Sequence, residues 1–197
     1  MSHALLRARS GMTAARKILR RPLCAAVFLL IPLLHSEPSI DTEQRVKATF
    51  LFNFAQFVDW PDSALPARGA PFVIGILGKD PFNTFLDELV RGQTIKERKL
   101  EVRRLKRMEE INECQVVFVS DSEQARFDRV IARCGTNSIL TVGEGDQFAR
   151  RGGMIAFVPA GNKVRFRINR EAAESASLSI SSKLLRLSAN PPAPSYR

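Results

Sequence analysis

From residue 43 onward the apolar positions first follow a helical period. Val46, Phe50, Leu51, Phe54, Phe57 and Val58 gather on one side when each residue advances about 100°, which predicts a helix over 43–59. Asp59-Trp60-Pro61 stops it, because the residue before a proline avoids helical backbone. After a linker rich in Pro, Gly and Ala (62–71), residues 72–77 form an unbroken apolar run of strand length. Gly78-Lys79-Asp80-Pro81 turns the chain. Asp80 as cap and Pro81 at the first helical position predict a helix over 81–90, closed by Gly92. Strand-like runs at 99–105 (Leu100, Val102 and Arg104 inward), 115–120 and 138–142 then alternate with helical stretches at 108–113, 122–133 and 144–150. Strand–helix units repeated this way predict an α/β fold, a mostly parallel sheet flanked by helices on both faces.

The end of the chain changes pattern. Residues 154–158 and 164–168 flank a turn-rich connector of five, too short for a parallel crossover, so they form a C-terminal antiparallel hairpin. In its second arm Val164, Phe166 and Ile168 face one way and Lys163, Arg165 and Arg167 the other, one side buried and one wet. A last helix over 177–187 turns Leu178, Leu184 and Leu185 inward, and the proline-rich residues 190–197 read as a disordered tail. Residues 37–189 thus form a single domain, with a leader before it.

Charge redistributes the picture. The formal net charge is +10, but residues 1–36 hold six cations and no acid, which leaves +4 for the rest. The argument for nucleic acid largely falls with the leader. Residues 22–34 are thirteen positions without a charge, short of the roughly 20 a membrane span needs. Basic, apolar and then small polar segments make a secretory signal peptide, cleaved after Ser36, with Met1 or Met12 as the start; an uncleaved anchor is the alternative. Export leaves two cysteines, Cys114 and Cys134. Six strand residues up and twelve helical residues back both travel roughly 18–20 Å. The two thiols therefore end at one end of the sheet, placed for a disulfide. Two buried free thiols are the other possibility, and without nearby His they complete no metal site.

Both histidines, His3 and His35, lie in the leader, so the remaining chain lacks the usual general base and any Ser-His or Cys-His pair. Glu109, Glu110 and Glu113 sit among arginines and read as solvated surface. Gly75 and Gly78 lack the third glycine and the acidic residue of a dinucleotide fingerprint. No catalytic residue, cofactor or metal follows from the sequence. Three features are candidates for partner binding. Phe52 lies opposite the main stripe of the first helix, either covered by a second layer or left as a contact. Trp60, the single tryptophan, is either core or an interface anchor. Lys163, Arg165 and Arg167 form a basic stripe, either a solvated face that discourages edge pairing or a surface for an acidic partner.

Seven segments, taken in order, resemble the YfiR-like family of periplasmic proteins. They run from Val46 to Pro61, from Ile74 to Phe82, Cys114 to Phe118, Ile139 to Gly143, Phe148 to Phe157 with Gly152-Gly153, Asn162 to Asn169, and Ser181 to Leu187. The resemblance covers about residues 43–188. It implies a non-catalytic periplasmic repressor that binds the periplasmic sensor part of an inner-membrane diguanylate cyclase, often as a homodimer. The alternative reading is a periplasmic small-ligand or anion-binding protein using the strand-to-helix loops at 78–81 and 143–146, the first of which offers helix amides to an anion.

Overall fold

The computed structural model describes residues 41–161 and 163–189. The expected signal peptide (1–36) and tail (190–197) lie outside the described residues. The chain begins with α1 (Thr42–Phe57), then β1 (Val58–Asp59) and a 3₁₀ turn at Asp62–Ala64. The α/β repeat comes next: β2 (Phe72–Leu77), α2 (Phe85–Val90), β3 (Thr94–Ile95), β4 (Arg98–Leu105), the 3₁₀ helix Met108–Glu113 and β5 (Val116–Val119). After a second 3₁₀ stretch, Asp121–Arg126, come α3 (Phe127–Thr136), β6 (Leu140–Glu144), α4 (Gly145–Arg150), β7 (Ile155–Ala160) and β8 (Lys163–Ile168). The chain closes with α5 (Arg170–Ser175), β9 (Ser179–Ile180) and α6 (Ser182–Leu187).

Seven strands form one sheet in the order β3-β4-β2-β5-β6-β7-β8. The five central strands are parallel, and β3 and β8 run antiparallel at the edges. This is the expected mostly parallel sheet with its hairpin. Because β2 and β5 are buried on both faces, each is a continuous apolar run. Alternate residues then sort to opposite sides. Ile74, Ile76, Phe118, Val142, Phe157 and Phe166 face α1, α2 and α6 in one cluster. Val73, Leu77, Val117 and Val119 face α3, α4 and the 3₁₀ helix at 108–113 in another, through Phe127, Val130, Phe148 and Ile111.

Four expectations are corrected. The helix expected over 81–90 starts at Phe85: the Asp80 carboxylate accepts the Phe82 N–H at 2.7 Å, and Asn83 has φ +48°, so 81–84 is a turn. The first helix stops at Phe57, and Val58–Asp59 pairs with Ser179–Ile180 in a separate two-stranded sheet. The last helix, expected over 177–187, is only Ser182–Leu187: Ser177 has φ +59°, Ser179–Ile180 form β9, and the Ser181 side chain caps α6 by accepting from Leu184. The helix α5, capped by Asn169 accepting from Ala172, precedes the expected range. The buried stripe of α1 is also rotated, through Lys47, Ala48, Leu51, Phe54 and Ala55, with Val46 38% exposed.

Candidate functional site

In an open parallel sheet, ligands bind beyond the carboxyl ends of the strands, most often where the strand order reverses. Here the chain steps from β2 to β4 on one side and then to β5 on the other, so the reversal lies between β2 and β5. That crevice is filled. The Lys79 N–H donates to Ser122 Oγ at 2.9 Å, and a Cβ on Gly78 would run into Ser122 Oγ and Glu123 Cγ. Arg104 binds the whole corner, Nε to Asp80 Oδ2 at 2.9 Å and Nη groups to Asp87 and to the Asn83 carbonyl, each at 2.6 Å. The hydrogen bonds to Asp87, ahead of those to Asp80, hold the guanidinium pKa above its usual value despite burial. The anion expected at 78–81 would meet the Asp80 carboxylate, and the six-residue α2 starts four residues later.

The open space lies further along, where the N-terminal half of α1 crosses the ends of β6 and the β7–β8 hairpin. It is a cleft of about 1090 Å³. Its floor is charged. Lys47 is 9% exposed, and its ammonium sits 2.6 Å from Glu43 Oε1 and 2.5 Å from Glu144 Oε1. Burial alone would lower the Lys47 pKa; the hydrogen bonds to Glu144 and Glu43 outweigh it and raise it. Asp121, also in the lining, is pushed up by burial and by Glu144, against the pull of Lys47. A lysine held protonated in this way is a clamp rather than a base.

The wall is apolar. Phe50 stands edge-on to Phe166 at 5.2 Å and near Phe157 at 6.4 Å. Val46 and Leu187, the exposed large hydrophobic residues of the described chain, sit in the same lining. The hairpin contributes Lys163 and Arg165. Of the expected partner-binding residues, these two border the cleft, at its rim, with side chains that alternate with Val164 and Phe166 along β8. Arg167 reaches Asp146 at 3.5 Å. Phe52 is half-buried against the core beneath α1. Trp60 is 4% exposed and meets Phe72 edge-on at 5.0 Å, which makes it core; its Nε1 has no hydrogen-bond partner.

Cys114 and Cys134, expected as a bridge, both lie buried in the cluster beneath the sheet as free thiols. Cys114 Sγ lies 3.6 Å from the Glu110 carbonyl oxygen, and burial pushes each thiol up to about 12. The sequence reading missed Lys47, Glu144, Asp121 and Glu43. One signal was available: Glu43 and Lys47 stand at i, i+4 inside the apolar stripe. Asp121 and Glu144 close β5 and β6, which only the topology brings together.

Comparison with known proteins gives a family match over residues 44–189, described as YfiR/HmsC-like. The chain belongs to the YfiR/HmsC-like family. That family suggests a periplasmic regulator of diguanylate cyclase signalling. No curated protein matches the chain. Among solved structures, a conserved domain protein from Vibrio cholerae O1 biovar eltor is 12% identical with a TM-score of 0.49, covering 72% of this YfiR/HmsC-like chain and 58% of its own. The ABC domain from Streptococcus pneumonia in complex with L-Trp is 13% identical with a TM-score of 0.43, covering 60% and 54%. The chain thus spans less than two thirds of either.

Proposed function

We propose that this protein is exported to the periplasm and there binds the periplasmic part of an inner-membrane signalling enzyme, a diguanylate cyclase, and restrains it. The family match carries the reading, since residues 44–189 take in nearly the whole described fold. The cleft agrees with it: its one buried amine is clamped by two carboxylates, and His3 and His35 precede the fold. Among the described residues no helix is long and apolar enough to cross a membrane. Restraint then works by population shift, with tight binding to the inactive partner conformation lowering the active fraction. Lys163 and Arg165 are the contacts this reading favours; Trp60, being core, supports the fold.

Deleting the gene should raise cellular cyclic di-GMP, and the wild-type copy should lower it again. Unchanged cyclic di-GMP after deletion would overturn the reading. Spheroplast fractionation should release a protein beginning near Glu37 that is two hydrogens lighter than its reduced form, with the Cys114–Cys134 bridge closed. Recovery in the cytosol with residues 1–36 attached would refute export, and two thiols labelled after unfolding without reductant would refute the bridge alone. A second reading, a small-ligand binder, is favoured by the cleft volume and by the loop at 143–146, which borders the cleft through Glu144 and Gly145. In that case a metabolite extract, rather than a protein partner, would raise the melting temperature.

A further inference from the structure

The hairpin ends the sheet, so β8 presents an edge. Asn169 N–H donates to Met154 C=O at 2.7 Å, and the register steps from there through Ala156↔Arg167, Val158↔Arg165 and Ala160↔Lys163. In an antiparallel ladder the pairs alternate, so these odd residues of β8 bond to β7 and the even ones turn their N–H and C=O outward. Phe166 shows it: its carbonyl accepts from the Ala189 N–H at 2.8 Å. The edge therefore already takes a backbone hydrogen bond. At Val164 both outward groups lack a partner among the described residues.

On one face of this edge lies the cleft, with Phe50, Phe166, Val46 and Leu187. Lys163 and Arg165 border the same cleft at its rim, but they alternate with Val164 and Phe166 along β8, so their side chains turn to the other face of the strand. They have no carboxylate partner among the described residues. The cleft floor holds Glu43, Asp121 and Glu144 against one lysine, so it repels an acidic side chain entering from its side. We propose that the β8 edge at Val164 receives an extended segment of a partner protein, with apolar side chains in the cleft and acidic ones at alternate positions over Lys163 and Arg165. Main-chain hydrogen bonds supply the attachment, and the two-toned faces fix which way the strand lies. The inference rests on the regulatory reading for its biological partner, but not for its physics.

The probe is a seven-residue peptide alternating Glu and Val, capped at both ends, titrated onto the purified full-length exported protein. It should bind, and binding should weaken with salt because the paired charges are exposed. N-methylating the set of peptide amides that faces β8 should weaken it about tenfold, one lost hydrogen bond's worth, and methylating the other set should not. Val164→Pro removes an outward N–H without touching the β7 ladder and should weaken binding similarly. Equal binding of the two methylated peptides, or of a peptide with the same residues in two blocks, would overturn the proposal. So would wild-type self-association that Val164→Pro abolishes, since the occupant would then be a second copy. In cells, a Val164→Pro protein that represses normally while gene deletion derepresses would sink this surface and leave the regulator standing; a silent deletion would sink the regulator while the peptide titration still judged the edge.

Discussion

Two crevices open at the carboxyl ends of one sheet, and they have met opposite fates. Between β2 and β5, where this fold class usually holds a ligand, the loops close on each other: Ser122 and Glu123 lie against Gly78, and Arg104 ties Asp80, Asp87 and the Asn83 carbonyl together. At β6 and β7 a cleft of about 1090 Å³ stays open. The difference lies in the connection that leaves each strand. A helical segment returns over the sheet after β2 and β5, whereas β7 turns straight into β8 with no helix between them. The cleft is closed on that side by α1, an element from before the α/β repeat, which places Lys47 rather than an apolar residue there. The position of a binding surface thus depends on local connection chemistry more than on the fold class.

Truncation tests the contrast most severely. Phe118 is fully buried beneath the closed crevice, edge-on to Phe82 at 4.8 Å. Phe118→Ala should cost about 3–5 kcal/mol in urea unfolding. Phe50, half-buried in the cleft wall, should cost about 1–2 kcal/mol on the same change. Equal losses would mean that the cleft is as tightly built as the crevice. The two glycines at the loop starts come next. Gly145 has φ +75° and open space around its missing Cβ, so Gly145→Ala should cost about 1 kcal/mol for backbone alone. Gly78 has φ +91° and the Ser122 and Glu123 side chains in the way; Gly78→Ala should cost about 2–3 kcal/mol. A matching pair of values would show the closed crevice to be looser than its geometry.

The same contrast explains what could be read in advance. The longer strands, a mostly parallel sheet and the hairpin were legible because a doubly buried strand is an apolar run and a one-sided strand alternates; the two-residue strands β1, β3 and β9 were not. Phe72–Leu77 and Lys163–Ile168 show the two cases in one chain. Helix ends were less legible, since positive φ at Asn83 and Ser177 is decided by packing around residues with no strong local signal. Trp60 could not be placed from its neighbours, because its burial depends on Phe72, across the linker. The cleft escaped altogether. Lys47 is an ordinary surface residue by composition, and its burial makes sense only once Glu144, ninety-seven positions away, is beside it.

The clamp itself gives a smaller effect with a definite sign. Replacing Lys47 by Met keeps the volume but leaves Glu43, Glu144 and Asp121 facing one another; the variant should lose about 1 kcal/mol at pH 7. Adding Glu144→Gln should recover part of that, by a double-mutant cycle. The Lys47 pKa is raised above 10.5 in the folded protein. Its stabilising contribution is therefore fully present below pH 10.5 and is lost as pH rises through the higher folded value. The difference between wild type and Lys47→Met should shrink over that alkaline range. A difference independent of pH there would mean that packing, not charge, holds the N-terminal half of α1 over the cleft.

Asp121 gives the smallest effect and the cleanest contrast with Asp80. Asp80 in the closed crevice is paired with Arg104. Asp121, in the open cleft, has no ion pair of its own among the described residues, and burial followed by the Glu144 charge holds its pKa above 3.8. An acid with a raised folded pKa binds its proton more tightly folded than unfolded. Its favourable contribution is full below pH 3.8 and is lost as pH rises through the folded value, so at pH 7 the ionised group works against folding. Asp121→Asn should thus stabilise the protein at pH 7, by a few tenths of a kcal/mol since the side chain is largely exposed, or about 1 °C in Tm for a chain of this size. The acidic start of the 3₁₀ stretch Asp121–Arg126 opposes the gain, because its amides favour a negative charge. The gain should vanish on titration below pH 3.8. A Tm that falls at pH 7 would show that the helix end outweighs the Glu144 repulsion, and that the cleft floor is less crowded with negative charge than its geometry implies.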